Sequence, residues 1–417
     1  MSATVVRYRY RAYPTVPQRI ALANVFGCAR VVFNDAIAAR RDAHHAGKPR
    51  PTAKQLSKTL ITQARTTHGR KWLAEVSSVP LQQALTDAET AYRNFFASQR
   101  GDRKGRKMGA PKFRSRRDTR QSARFTTNAR FHVLHADVAA RTAVLRLPNV
   151  GDLALVYSRE LPHPPTSVTV IREANGRVYV SFVVATYDWP ADPTNRVCGI
   201  DPGLTTSATI LTRPTTGGPD TVEQLDNERY LRRKARALAR SQRSLARKQK
   251  GSANRAKAKV KVAVLHRKIR ETRLDHAHQT AARIAAAHDI IAVEDLHVAG
   301  LAQGGEPGRK GSGRRKSVHD TGLGQFLRLV TEKATRQGKT VIKVGRYYPS
   351  TQICSACHHQ SGPKGQAELN IRTWKCINCG VTHDRDTNAA RNILTEGLRL
   401  LAISEHPTYV AGGQPET

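Results

Sequence analysis

The sequence predicts a multidomain α/β protein, and three observations carry that expectation. The chain has 417 residues, more than one ordinary core accommodates, and 39% of them are hydrophobic, enough for several packed units. Its apolar pattern switches in blocks between the two-residue alternation of strands and the 3.6-residue repeat of helices. Two cysteine doublets, Cys354-x2-Cys357 and Cys376-x2-Cys379, mark a small module with metal-ligand spacing.

The opening strand is read from Val6, Tyr8 and Tyr10 alternating with Arg7, Arg9 and Arg11, an apolar face backed by a basic one. From Pro17 the period changes. Leu22, Phe26, Ala29, Phe33 and Ile37, then Leu81, Ala84, Leu85, Ala88, Tyr92 and Phe95, recur at helical spacing, so residues 15–97 read as a small helical domain. Residues 98–120 carry ten Lys/Arg, two Asp, three glycines and a proline, which predicts a basic loop. Strands return at Val144–Leu147, Leu153–Tyr157, Ser167–Ile171 and Arg177–Val184, the last two joined by the hairpin signal Asn175-Gly176. The opening strand is expected to pair with this later set, giving one β domain with a helical insertion.

After Arg196, VCGID and Ser207–Leu211 read as strands, followed by a hairpin of basic helices broken near Gly251-Ser252. Ile290–Val293 and Thr340–Val344 read as short strands, Phe326–Gln337 as a helix and Gln303–Lys316 as a flexible loop. The tail after Ser404 has no periodic pattern.

Charge narrows the class of partner. Seventy Lys+Arg against 32 Asp+Glu give a net charge of +38, which needs a polyanion to balance it. Residues 229–270 hold 17 Lys/Arg and no acid in 42 residues, whereas a merely solvated helix mixes signs to gain i,i+4 pairs. Arg232, Arg233, Arg236, Arg240, Arg243 and Lys248 are therefore expected to meet phosphates. The N-terminus has no apolar leader, and no uninterrupted apolar run approaches the about 18 residues of a membrane span. Cys28 and Cys198 stand alone in apolar segments as buried thiols. The expectation is a soluble cytoplasmic protein with no membrane contact.

Three acids sit in phrases suited to chemistry: Asp201 in CGIDPGL, Glu294 in IIAVEDL and Asp386 in THDRDTNAARNIL. Singly they read as a turn residue, a strand exit and a helix cap. Together, a strand-terminal Asp, a strand-terminal Glu and a helix-initiating Asp, in that order, form the layout of the RNase H-like fold. Crowded carboxylates repel unless divalent cations sit among them, and oxygen donors of this kind favour Mg²⁺ or Mn²⁺. Two such ions suit phosphodiester hydrolysis, with Asp201 bridging both and Glu294 and Asp386 each holding one. Asp295 and Asp384 are adjacent alternatives. The four cysteines predict one closed, structural zinc site, leaving His358, His359 and His383 as spares.

With these residues in place, the chain resembles the TnpB family of transposon-encoded RNA-guided nucleases, relatives of the type V CRISPR effectors. The matching phrases are GCARVVFNDAIAAR, LQQALTDAETAYRNFF, GAPKFRSRR, GIDPGL, VEDL, YYPSTQICSACH and THDRDTNAARNIL. His358 departs from the pattern, standing where Gly usually follows the second cysteine. The resemblance implies a β-barrel wedge domain at residues 1–14 and 119–190, with a helical recognition insertion at 15–118. It implies a RuvC-like nuclease at 191–348 and 383–403, a zinc ribbon inserted at 349–382 and a flexible tail at 404–417. It further implies a noncoding guide RNA and double-stranded target DNA as partners, and names no protein partner. Lys112 and Arg114, in the GAPKFRSRR phrase, are expected at nucleic acid, and Gln82 or Gln83 at a base edge of a short adjacent motif. Rival readings are a strand-transferring transposase and a guide-dependent repressor that does not cut.

Overall fold

The computed structural model describes residues 3–103, 105–187, 191–303, 309–364, 368 and 370–405. Two compact units divide the chain between Thr186 and Tyr187. Most of the expected tail, from residue 406, lies outside the described residues, and Ser404 and Glu405 belong to a helix.

The first unit begins with β1 (Ala3–Tyr13), followed by α1 (Val16–His45), α2 (Ala53–Ser57) and α3 (Ser78–Arg100). The strands β2 (Gln121–Thr126), β3 (His132–Asp137), β4 (Thr142–Leu147), β5 (Gly151–Val156), β6 (Ser167–Arg172) and β7 (Val178–Tyr187) complete it. They form a seven-stranded sheet of order β2-β6-β7-β1-β5-β4-β3. The N-terminal strand is thus the middle strand of a sheet built mainly from later sequence, and the helices are an excursion between β1 and β2. Alternation dictates this: Tyr10 and Ala12 are buried in the sheet's apolar face while Arg9 and Tyr13 face outward.

Thr15 and Gln18 cap α1 reciprocally, satisfying two otherwise orphaned N–H groups, and Pro17 fits the first turn. By length and composition α1 alone among the described helices could cross a membrane. That qualifies the sequence reading, but its apolar residues Leu22, Val25, Phe26, Val32, Phe33 and Ile37 are in the core of this unit. They pack with Leu81, Ala84, Leu85 and Ala88 of α3. Truncating the fully buried Leu81 to Ala would cost about 2–5 kcal/mol. The basic loop expected at 98–120 starts later, because α3 runs through Arg100; the described residues of 101–120 form no helix or strand, yet the segment is pinned: the Asn34 amide exchanges hydrogen bonds of 3.0 and 2.8 Å with the Arg114 backbone.

The second unit is built on β8 (Arg196–Asp201), β9 (Thr206–Pro214), β10 (Thr221–Asp226), β11 (Ile290–Glu294) and β12 (Thr340–Val344). Its helices are α4 (Tyr230–Ala246), α5 (Ala253–Ala287), α6 (Val298–Gln303), α7 (Arg309–Thr321), α8 (Leu323–Arg336) and α9 (Arg385–Glu405). A small hairpin, β13 (Thr373–Lys375) and β14 (Thr382–Asp384), precedes α9. The main sheet has order β10-β9-β8-β11-β12, antiparallel from β10 to β8 and parallel from β8 to β12. Both faces are covered, which is why β8 and β11 read as continuous apolar runs. Cys198, Ile200, Ile291 and Val293 pack under α5 and α8, while Val197, Ala292 and Val344 meet α9 through Ala390, Leu394 and Ile393.

The basic hairpin breaks as expected, with Gly251 at φ 91° and Ser252 capping α5 through the Arg255 N–H. The loop expected at 303–316 is corrected: α6 includes Gln303, residues 304–308 lie outside the described residues, and Arg309 begins α7. Its two glycines argue against a helix locally. Tertiary contacts overrule them, since Val318 is buried and the buried Asp320 carboxylate accepts the Leu231 and Arg232 N–H groups at the start of α4.

Candidate active site

Asp201 ends β8 and Glu294 ends β11, and these neighbouring parallel strands pair Ile200 with Val293. The two carboxylates therefore leave the same edge of the sheet side by side. Asp386 reaches them because α9 lies unusually close to the sheet. A Cβ on Gly199 would collide with the Ala390 carbonyl, and one on Gly397 would press on the Ala292 side chain. Glycine at both crossings lets the helix backbone descend and brings its first turn to the strand ends.

The electrostatics register the crowding. Burial, then the charges of Asp386 and Glu294, push the Asp201 carboxyl up to about 8, against the pull of Arg385 and Arg372. Burial also raises Glu294. Asp386 is held on both oxygens: Arg372 donates to Oδ2 at 2.8 Å, and Arg385 donates to Oδ1 at 3.1 and 2.9 Å. Arg372 also donates to Thr205 Oγ1 at 3.2 Å, tying the β8–β9 loop to the helix start. Arg372 falls within the expected ribbon, residues 349–382, and the hairpin pairing of Thr373 with Asp384 carries it to this carboxylate.

The two alternative acids are engaged elsewhere. Asp384 Oδ1 accepts the Thr387 N–H at 2.8 Å, so Asp384 is the cap of α9, leaving Asp386 in the first turn free of that task. Asp295 pairs with Arg346 at 3.2 Å.

The sulfurs of Cys354, Cys357, Cys376 and Cys379 lie within 4.8 Å of one another, as a single tetrahedral ion requires. Backbone turns aim them: Cys354 N–H donates to His359 and Cys376 N–H to Val381, each at 2.9 Å. A hydrogen bond from the Ser361 hydroxyl leads the effects that lower the Cys376 thiol to about 6, whereas Cys379, crowded by the other three sulfurs, is pushed up to about 12, so proximity of the sulfurs and not the thiol acidities is what fits a metal. The donors fit one zinc ion. Two buried asparagines of α9 secure the first knuckle. Asn388 donates to the Ile353 carbonyl at 2.8 Å and accepts the Ser355 N–H at 2.9 Å, and Asn392 donates to Ser350 and Ile353 at 2.8 and 2.6 Å. Neither asparagine was singled out from sequence, where the NAARN phrase reads only as helix.

Arg232, Arg233, Arg236, Arg240 and Arg243 lie on the exposed side of α4, whose one buried side chain is Leu238, whereas Lys248 lies just beyond the helix and is half-buried. Arg240, Arg243 and Lys248 line one concavity of about 430 Å³ with Ser244 and Arg247. Arg232 and Arg236 are exposed, while Arg233 pairs with Glu228 at 2.7 Å. In the first unit, Gln83 lines a cleft of about 230 Å³ between α3 and the sheet, together with Arg7, Arg120 and Arg124. Gln82 points to solvent instead. Arg114 shares that cleft, but its guanidinium stacks on Phe33 at 3.7 Å and pairs with Asp87 at 3.1 Å. Lys112 is exposed.

Comparison with known proteins accords with this arrangement. The chain shares its fold with the Cas12f1–sgRNA–target DNA complex, with TM-score 0.57 and 11% identity, covering 94% of this chain and 98% of that one. Residues 181–304 match the family model described as "Probable transposase", and residues 324–393 match "Cas12f1-like, TNB domain". Residues 1–49 match "Helix-turn-helix domain", although the described part of that span is β1 and one unbroken helix. A Streptomyces pristinaespiralis protein named "Putative RNA-guided DNA endonuclease" is 35% identical over 95% of this chain and 90% of its own length. An Escherichia coli protein named "Putative RNA-guided DNA endonuclease InsQ" is 29% identical, covering 98% of this chain and 95% of that protein. The chain belongs to the TnpB family of RNA-guided DNA endonucleases.

Proposed function

We propose that this protein is an RNA-guided DNA endonuclease that hydrolyses phosphodiester bonds at Asp201, Glu294 and Asp386. The observation that carries the reading is Asp201, whose carboxyl is raised first by burial and then by the charges of Asp386 and Glu294, as in a carboxylate set that would share cations. The sheet order and helix placement support an RNase H-like, RuvC-type assignment for this unit. The all-oxygen donor set fits Mg²⁺ or Mn²⁺. When bound, two such ions supply activation of water and stabilisation of the leaving 3′ oxygen. Asp201 would hold both ions and Glu294 and Asp386 one each, while Arg372 and Arg385 fix the Asp386 carboxylate.

The guide RNA reads sequence by base pairing, and the protein reads a short adjacent motif and duplex shape. The basic face of α4 supports contact with the RNA or its heteroduplex. Gln83 in its arginine-lined cleft supports base-edge reading of the motif. The same reading assigns residues 1–14 and 119–190 to a wedge domain, 15–118 to recognition, 191–348 and 383–403 to the nuclease and 349–382 to a zinc-bearing ribbon. It locates the protein in the cytoplasm, at the nucleoid.

The test is cleavage of a plasmid matched to the RNA that co-purifies with the protein. Wild type with Mg²⁺ is expected to linearise it, and Asp201→Ala to bind it without cutting. Cutting by the variant at the wild-type rate would refute the carboxylate assignment. Ends joined to a second DNA, in place of free ends, would favour the strand-transfer reading.

A further inference from the structure

We propose that His383 is a positioning residue of the four-cysteine site, donating its Nε2–H to the Cys354 sulfur and linking that sulfur to the helix of Asp386. The proposal rests on the reading of the four cysteines as a zinc site. His383 Nε2 lies 3.0 Å from Cys354 Sγ, and both residues are buried. This separation is within reach of a hydrogen bond, and a zinc-bound Cys354 thiolate, having no proton to give, would require that Nε2 carry it. The ring cannot swing away freely: it packs against Trp374 at 4.9 Å between centroids, and the backbones of these two residues pair across β13 and β14.

Four thiolates on one divalent ion carry excess negative charge, and an N–H directed at one of them disperses it. Groups that orient and polarise a ligand in this way typically change metal affinity about 10–100-fold. Here the donor also lies on the path to the carboxylates. His383 is followed by Asp384, which caps α9, and then by Asp386 in the first helical turn. The Asn388 and Asn392 bonds to the knuckle backbone run parallel to this link. Cys354 is thus held to α9 from two sides, by an imidazole at its sulfur and by amides at its neighbouring carbonyls.

A fifth-ligand role does not suit the geometry, because four sulfurs within 4.8 Å already complete a tetrahedron. His383 therefore acts through Cys354.

The experiment measures zinc affinity of the full-length protein by competition with a chromogenic chelator, independent of any nuclease assay. His383→Phe keeps a ring against Trp374 but loses the donor, and is expected to bind zinc about 10–100-fold more weakly. His383→Gln keeps an N–H and is expected to recover most of the affinity, which mere ring packing would not predict. Thermal melts with saturating zinc separate loss of the site from loss of the fold. Wild-type affinity in both variants would overturn the proposal. So would full zinc retention in Cys379→Ser combined with its loss in His383→Gln, since His383 would then be a ligand. A wild-type protein without zinc would instead refute the zinc reading itself.

Discussion

Gly199 of β8 and Ala390 of α9 touch backbone to backbone: a Cβ on Gly199 would overlap the Ala390 carbonyl oxygen and approach the Leu394 nitrogen to 2.8 Å. This contact sets the height of α9 above the sheet, and with it the place of Asp386 beside Asp201. Gly199→Val should force the helix outward. Overpacking of this kind costs about 1–3 kcal/mol, so a lower melting temperature and loss of cleavage are expected. An unchanged melt and an unchanged rate would show that α9 tolerates displacement.

The two acids of the DRD phrase should separate by function. Asp384→Ala removes the cap on Thr387 and should cost about 0.5–2 kcal/mol of stability while leaving substantial cleavage. Asp386→Asn keeps the cap and should abolish cleavage. Rate and thermal melt measured together on both variants check the assignment; reversed phenotypes would exchange the two roles.

Asp201 predicts a pH dependence with a definite sign. Burial and the neighbouring acids push its carboxyl up to about 8, above the ordinary carboxylate value of 3.8, so the folded state holds an extra proton between those limits. The stability associated with that proton is present at low pH and lost as pH rises toward 8. Without added Mg²⁺, the melting temperature should fall from pH 5 to pH 8, and Asp201→Asn should flatten the slope. Mg²⁺ affinity, read by calorimetry, should rise over the same interval because binding must release the proton. A flat wild-type profile would count against a protonated Asp201.

Replacing Arg232, Arg236, Arg240 and Arg243 by Gln should weaken RNA or heteroduplex binding and reduce the salt slope by up to about 0.7–0.9 per lost phosphate contact. Arg233 should matter less, because Glu228 already pairs with it. A slope of log affinity against log salt equal to wild type would mean that this face is simply solvated.

Gln83 and Gln82 are adjacent in sequence but only Gln83 lines the arginine-rich cleft. In a cleavage library of randomised adjacent motifs, Gln83→Ala should relax preference at one or two positions, a loss of about 1–3 kcal/mol per pair. Gln82→Ala should leave the preference unchanged. Identical profiles for wild type and Gln83→Ala would remove the glutamine from motif reading.

Much of the local structure was fixed by residue pattern alone. The alternation through Tyr8 and Tyr10, the stripes from Leu22 to Ile37 and Leu81 to Ala88, the hairpin at Asn175-Gly176 and the break at Gly251-Ser252 each depend on side chains only a few residues apart. Spacing likewise made the four cysteines and the strand-end acids readable, because ligand geometry and strand termination are short-range constraints. Tertiary structure decided the rest. Whether Asp384 or Asp386 caps α9 depends on which oxygen meets the Thr387 N–H, and whether Asp295 is free depends on Arg346, 51 residues away. The helicity of residues 309–321 arises from burial of Val318 and from Asp320 capping a helix 89 residues earlier, against local propensity. Gly199 reads in sequence as a weak point in a strand. In the fold it is the space that lets α9 approach, because a missing side chain acquires meaning only from the backbone that fills its place.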